Sequence, residues 1–122
     1  MADKWILLVD DDNRNIFALA AVLKVKGYKV VSATAMKEAF SHLDENTSIG
    51  MVLMDMMMPG MDGYEAVAFM KQQPKYRSIP VVAVTAQAMP GDREKCLRAG
   101  ADDYLAKPVD LDMLLSVIKR LM

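Results

Sequence analysis

The sequence has a single cysteine and no long apolar run among its 122 residues. One cysteine cannot close an internal disulfide, which fits a reducing compartment. No apolar stretch approaches the roughly 20 residues that a membrane-spanning helix requires. The first four residues, MADK, carry no signal-peptide pattern. We therefore expect a cytoplasmic protein without membrane insertion.

The chain also lacks an excess of charge of either sign. It has 15 Lys and Arg residues against 16 Asp and Glu residues, for a formal net charge of −1. A broad nucleic-acid-binding surface needs a basic excess, because it must neutralise phosphates. The composition therefore argues against direct nucleic-acid binding.

What the chain does contain is enough apolar sequence for one core. At 122 residues and 53% hydrophobic content, a single domain over 1–122 is expected, burying roughly two thirds of its unfolded surface. Twelve methionines are unusual. They are interpreted chiefly as flexible core filler, with an adaptable binding surface as the alternative.

Apolar runs alternate with stretches of helical periodicity along the whole chain. The predicted strands are residues 5–9, 28–32, 51–54, 80–84 and 103–106. The predicted helices are a segment around 16–23 that stops at Gly27, then 35–43, 64–73, 90–98 and 111–121. Pro90 suits a first helical turn and Gly100 a helix end.

This alternation predicts an α/β fold with a doubly wound, five-stranded parallel sheet. Strands that are apolar on both faces are typical of a parallel sheet covered by helices on each side. The second strand ends in Ser32, Ala33 and Thr34, with no charge, so it fits best at the outside of the sheet. The resulting strand order is 2-1-3-4-5, the order known for flavodoxin-like (βα)5 folds.

Polar side chains follow the other four strands directly. They are Asp10 and Asp11 after the first strand, Asp55 after the third, Thr85 after the fourth and Lys107 after the fifth. The carboxyl ends of parallel strands meet at one edge, where ligands bind in open α/β sheets. We therefore expect these residues to converge.

Three crowded carboxylates repel one another, so such a cluster raises a pKa or holds a cation. Oxygen ligands without histidine or cysteine favour Mg²⁺ over zinc. A carboxylate can also attack phosphorus to form an acyl phosphate. Positive charge on the phosphoryl oxygens would then come from Mg²⁺ and Lys107, and a hydrogen bond from Thr85.

Each of these residues has an ordinary structural alternative. Asp12 and Asn13 are read as helix-capping residues, and Asp10 or Asp11 alone could be one too. Taken singly, Thr85 fits a hydroxyl bonded to backbone, and Lys107 a solvated lysine. Their position at four of the five strand ends favours a common site.

The sequence resembles the receiver domains of two-component response regulators over nearly its whole length. The matching stretches are ILLVDD (6–11), LMDMMMPGMDG (53–63), VTA (84–86) and YLAKP (104–108). Each motif is weak alone, but all four in this order and spacing are highly specific.

The resemblance implies a role for each matching residue at the phosphorylation site. Asp55 would be the phosphoacceptor. Asp11 would be a direct Mg²⁺ ligand, Asp10 a ligand largely through water, and the backbone carbonyl of Met57 a further ligand. Lys107 would contact the phosphoryl oxygens, and a cis Lys107–Pro108 bond is expected.

The resemblance also implies a switch and partners. Thr85 would move to bond the phosphoryl group, and Tyr104 would be the aromatic that turns inward, although it could simply be a half-exposed aromatic in an edge strand. The changing surface would be helix 4, strand 5 and helix 5. The phosphoryl donor would be a sensor histidine kinase or a histidine phosphotransfer protein. The chain would be a monomer or a weak, phosphorylation-dependent dimer, and not an enzyme beyond self-catalysed phosphoryl transfer and autodephosphorylation.

Two rival functions stay open at this point. A haloacid-dehalogenase-type phosphatase also uses an aspartate after the first strand, but Arg14 stands where that family has Thr or Val, and the chain is short and without a cap. A phosphorylation-independent receiver-like adaptor is disfavoured by intact Asp55, Thr85 and Lys107. The segment 83–114 is similar to receivers of hybrid histidine kinases, so the chain is either a stand-alone regulator or such a receiver.

Three further residues carry expectations of their own. His42 is expected at the surface and Cys96 is expected to pack inward. Gln87 is expected to flank the site, as is Met57.

Overall fold

The computed structural model describes residues 4–86 and 89–122. The strands are β1 Trp5–Val9, β2 Lys29–Ala33, β3 Ile49–Asp55, β4 Val81–Thr85 and β5 Asp103–Ala106. The helices are α1 Asn13–Val25, α2 Met36–Glu45, α3 Gly63–Gln72, α4 Asp92–Ala99 and α5 Leu111–Leu121. Gln87 lies outside the described residues.

The strands form one parallel sheet in the order β2-β1-β3-β4-β5. This confirms the predicted fold class and strand order. Every residue of β3 and β4 is buried, as expected for central strands covered on both faces. None of the helices in the described part of the chain combines the length and hydropathy needed to cross a bilayer.

Two apolar layers hold the helices against the sheet. One face packs Leu23 of α1 and Leu114 and Ile118 of α5 against residues of the central strands. The other face packs α2, α3 and α4, the last through Cys96, which is fully buried as predicted. All five strand ends therefore open at one edge, between the two helical layers.

The predicted start of helix 4 was wrong by two residues. Pro90 lies before α4, which begins at Asp92, because Gly91 adopts a left-handed conformation with φ of +85°. A residue in that region cannot continue a right-handed helix, and glycine adopts it at little cost. The predicted stop at Gly100 is confirmed, since it caps the helix with φ of +118°.

The third strand begins earlier than predicted, at Ile49 instead of residue 51. Gly50 is the second residue of this strand. In the structure, a β-carbon at Gly50 would lie 2.7 Å from Cδ of Lys4 and 3.2 Å from Cγ of Met122. The absence of a side chain at Gly50 therefore allows the side chains of Lys4 and Met122 to lie close to the strand.

The methionines divide between the two interpretations. A buried set fills the core, and comprises Met51, Met54, Met56, Met58 and Met70. Met57, Met89 and Met113 are exposed instead. Of the three methionines after Asp55, only Met57 is therefore at the surface beside the site, and Met56 and Met58 are packing residues.

Candidate functional site

Three aspartates meet at the carboxyl edge of the sheet. Carboxylate oxygens of Asp10, Asp11 and Asp55 all lie within 4.8 Å of one another. Asp10 and Asp55 are buried, while Asp11 is exposed. The cluster offers only oxygen ligands, which suits a hard divalent cation such as Mg²⁺ better than zinc.

Lys107 brings positive charge into this cluster. Its Nζ lies 3.2 Å from Oδ2 of Asp10 and 3.4 Å from Oδ2 of Asp55. The backbone N–H of Lys107 donates to the carbonyl of Thr85 at 2.8 Å, which ties the loop after β5 to β4. The Lys107–Pro108 bond is cis, as expected. One ammonium group against three carboxylates leaves a local negative excess that a divalent cation would neutralise.

Backbone donors orient two of the carboxylates. Oδ1 of Asp55 accepts from the N–H of Met57 at 2.9 Å. Oδ1 of Asp10 accepts from the N–H of Asp12 at 2.9 Å. Both oxygens of Asp10 therefore have protein partners, whereas Asp11 extends into solvent.

Burial and charge shift the pKa values at this site. Burial of the Asp55 carboxyl raises its pKa and the nearby Asp10 charge adds to the increase, while the Met57 hydrogen bond and the Lys107 charge oppose it. Partial burial opposes the charged form of Lys107, but its hydrogen bond to Asp10 and the Asp55 charge raise its pKa overall. The ammonium group therefore stays charged at neutral pH.

Thr85 is the last residue of β4 and is buried. Asp55 is paired in the sheet with Val84, so Thr85 lies one position beyond the level of Asp55. The predicted convergence of strand-end residues is thus seen directly for the aspartates and Lys107, with Thr85 on the adjoining strand.

Tyr104 lies on β5 and is half-buried. Its hydroxyl donates to Oδ2 of Asp92 at 3.3 Å, at the start of α4. Asp92 was not among the residues predicted for the site, and no local pattern indicates it, because the contact joins β5 to a separate helix. His42, which was expected at the surface, is partly exposed.

Asp12 caps α1, as predicted, since its side chain accepts from the N–H of Arg14 at 2.9 Å. Asn13 is instead the first residue of the helix. Asp12 therefore faces the helix backbone and has a structural role distinct from that of the acidic cluster.

A cavity of about 530 Å³ extends from the acidic cluster along α1. Its lining includes Asp10, Asp55 and Lys107 together with Ile16, Ala18 and Leu19 of α1. The amino-terminal half of α1 therefore borders the same cleft as the carboxylates.

Comparison with known proteins gives a consistent result. The family model for the response regulator receiver domain matches residues 6–119. The response regulator PleD of Caulobacter vibrioides is 40% identical over 120 residues, covering 95% of this chain and 25% of PleD. The histidine-protein kinase BarA of Escherichia coli is 36% identical over 115 residues, covering 94% of this chain and 12% of BarA. The chain thus spans a quarter or less of these two relatives.

Solved structures share the whole fold. A response regulator receiver protein from Pseudomonas putida superposes with a TM-score of 0.90 at 27% identity, covering 98% of both chains. The receiver domain of the sensor histidine kinase PA1611 from Pseudomonas aeruginosa has a TM-score of 0.84 at 38% identity, again over 98% of both chains. That structure holds a magnesium ion coordinated in the active-site cleft.

Proposed function

The chain belongs to the response regulator receiver domain family, and on that premise we propose that Asp55 accepts a phosphoryl group from a phosphohistidine donor. The observation that carries this proposal is the buried Asp55 carboxylate, which shares a cluster with Asp10 and Asp11 and lies 3.4 Å from the Lys107 ammonium. We propose that residues 1–122 act as one receiver unit in the cytoplasm.

In the proposed step, a carboxylate oxygen of Asp55 attacks the phosphorus. The oxygen–phosphorus bond forms while the phosphorus–nitrogen bond breaks, and its electron pair returns to the imidazole of the donor histidine. The product is an acyl phosphate on Asp55. Lys107 neutralises charge on the phosphoryl oxygens, and the Thr85 hydroxyl donates a hydrogen bond to one of them.

Mg²⁺, when bound, supplies positive charge that the phosphoryl oxygens need. We assign its ligands to Asp11 directly, to Asp10 largely through water, to Asp55 and to the backbone carbonyl of Met57. The two occupied oxygens of Asp10 and the exposed carboxylate of Asp11 support this division of roles. The negative excess of the cluster is the physical reason for a divalent ion there.

Phosphorylation would favour a second conformation in which Thr85 and Tyr104 have repacked. The affected surface would be α4, β5 and α5. Asp103 of β5 links α4 to α5 within this surface, because its buried carboxylate pairs with Arg93 of α4 and with Arg120 of α5. We propose that a downstream protein binds this surface, and that the chain is a monomer or a weak, phosphorylation-dependent dimer.

Beryllofluoride with Mg²⁺ mimics an acyl phosphate and tests this switch. We expect amide resonances of β4, α4, β5 and α5 to shift in a ¹H–¹⁵N NMR titration, because the phosphoryl mimic draws Thr85 and Tyr104 to new positions. The Asp55→Asn variant is the control and should show no such shifts. Unchanged spectra of the wild type would contradict the switch and favour the receiver-like adaptor, whereas turnover of p-nitrophenyl phosphate would favour the phosphatase.

The exposed face of α1 is suited to the phosphohistidine donor. Phe17 and Val25 are 77% and 85% exposed on this helix. The helix, Asn13–Val25, contains Arg14 and Lys24 but no acidic residue. An apolar helix face bordered by two positive charges, beside the cleft of Asp55, fits a donor surface that is apolar and acidic.

We expect Phe17→Ala to slow phosphoryl transfer from a phosphorylated phosphotransfer protein by about tenfold, the effect of losing one large apolar anchor at an interface. Labelling by acetyl phosphate, which needs no docking, should be unchanged. Phe69→Ala removes the same type of side chain from α3, where Phe69 is 47% exposed and packs edge-on against Phe40, and is the control. An equal loss with both phosphodonors would place the defect in the site, and unchanged transfer from the protein donor would exclude α1 as the docking face.

A further inference from the structure

One carboxylate joins three elements beside the proposed switch. Asp92, the first residue of α4, accepts a hydrogen bond from the Tyr64 hydroxyl of α3 on Oδ1 at 2.7 Å. Its Oδ2 accepts from the Tyr104 hydroxyl of β5 at 3.3 Å. The same side chain therefore holds one short and one long hydrogen bond to two tyrosines.

The Tyr64 half of this arrangement is well anchored. Tyr64 lies in the first turn of α3, where its N–H donates to the capping residue Asp62 at 2.9 Å. Nζ of Lys95 lies 4.2 Å from the centre of the Tyr64 ring. The hydrogen bond to Asp92 is the main reason that the pKa of Tyr64 is raised well above its ordinary value. Tyr64 therefore stays a protonated donor.

Tyr104 shares one face of the sheet with Thr85. Tyr104 is paired with Ala83 of β4, and Ala106, two positions further along β5, is paired with Thr85. Paired residues of parallel strands, and residues two apart in a strand, point to the same face of a sheet. Tyr104 and Thr85 therefore lie on the same face of the sheet, diagonally across β4 and β5, and the residue paired with each of them is an alanine.

We propose that Asp92 is a positioning residue whose hydrogen bond to the Tyr104 hydroxyl, here called the latch, holds Tyr104 in its resting place. Tyr64 weakens this hydrogen bond because it donates to the same carboxylate. The inference rests on the proposed function, in which phosphorylation of Asp55 is coupled to movement of Tyr104. Leaving the resting place breaks the bond between Tyr104 and Asp92. The strength of this bond therefore enters the equilibrium between the resting and activated states.

Substitutions at Asp92 and at Tyr64 are expected to shift the equilibrium between the resting and activated states in opposite directions. Asp92→Asn replaces a charged acceptor by a neutral one, which weakens the bond to Tyr104 and favours the activated state. Tyr64→Phe keeps the aromatic ring near Lys95 but removes the competing donor. The Asp92 carboxylate then accepts from the Tyr104 hydroxyl without competition from Tyr64, so this hydrogen bond strengthens and the resting state is favoured.

The experiment measures the affinity of the full chain for beryllofluoride at saturating Mg²⁺, with ¹³C-labelled tyrosine reporting the place of Tyr104 by NMR. We expect affinity to rise about three- to fivefold in Asp92→Asn and to fall about threefold in Tyr64→Phe, which is the range for a partly exposed hydrogen bond. In a Tyr104→Phe background both effects should vanish, because the latched hydroxyl is gone. Thermal unfolding checks that each variant folds.

The outcomes separate this inference from the proposed function. A wild type that does not bind beryllofluoride would overturn the proposed function itself. The latch would be overturned if the wild type binds beryllofluoride but both variants change its affinity in the same direction. It would also be overturned if the variants have the same effects in the Tyr104→Phe background, because those effects would then reflect general structural damage. Unchanged affinities in both variants would overturn it too.

Discussion

Replacing Asp55 with asparagine is expected to reduce phosphorylation by acetyl phosphate or by a phosphorylated donor to less than about 1% of the wild-type level, because the amide has no anionic oxygen to attack phosphorus. The substitution keeps the shape of the side chain and an oxygen that can accept from the N–H of Met57. The measurement is covalent phosphate incorporation, followed by intact-protein mass spectrometry. Asp55→Ala should give the same loss.

Asp62→Asn is the matched control for this experiment. Asp62 is also an aspartate of the loop between β3 and α3, but its side chain caps α3 by accepting from the N–H groups of Tyr64 and Glu65. Asparagine caps helices about as well as aspartate. This variant should label like the wild type, and labelling retained by Asp55→Asn would place the acceptor at another residue.

Removing divalent cations is expected to slow labelling by acetyl phosphate at least about 100-fold, since cation stabilisation of phosphoryl oxygens contributes several kcal/mol. The reason lies in the charges. Three carboxylates within 4.8 Å face one lysine, so an anionic donor is repelled from the cluster. The measurement is the initial labelling rate after chelation and after restoring Mg²⁺.

Asp11 and Asp12 offer a paired test of the metal assignment. Asp11→Asn removes a charge from the acidic cluster and should raise the Mg²⁺ concentration needed for half-maximal labelling about tenfold or more. Asp12→Asn removes the same charge one residue away while keeping the α1 cap. Equal shifts for the two variants would mean that only net charge matters and would exclude Asp11 as a ligand.

The residue types of the candidate site could be predicted from the sequence, because these residues lie at the ends of strands. β1, β3, β4 and β5 are local apolar runs, and the residue types after them are visible without any tertiary information. Parallel pairing then places those ends at one edge, which brings Asp10, Asp11, Asp55 and Lys107 together.

Positions that depend on backbone conformation or on distant packing were harder to predict. The start of α4 was misplaced because Gly91 takes a left-handed conformation that a proline-based rule does not anticipate. β3 starts two residues earlier than predicted and includes Gly50, where a β-carbon would meet the side chains of Lys4 and Met122. Which methionine near Asp55 is exposed also depended on packing, because three consecutive methionines have no periodicity to distinguish them.

The alternation of strands and helices, the family, and the residue types at the strand ends could all be predicted from the amino-acid sequence, because they are encoded in short segments and in their order. The contacts between separate helices and strands became visible only in the folded molecule. The clearest is the bond of Tyr104 to Asp92, which also receives Tyr64. Such contacts arise when separate helices and strands pack together, and a hydroxyl meets a carboxylate across that packing without any signal in the residues next to either one.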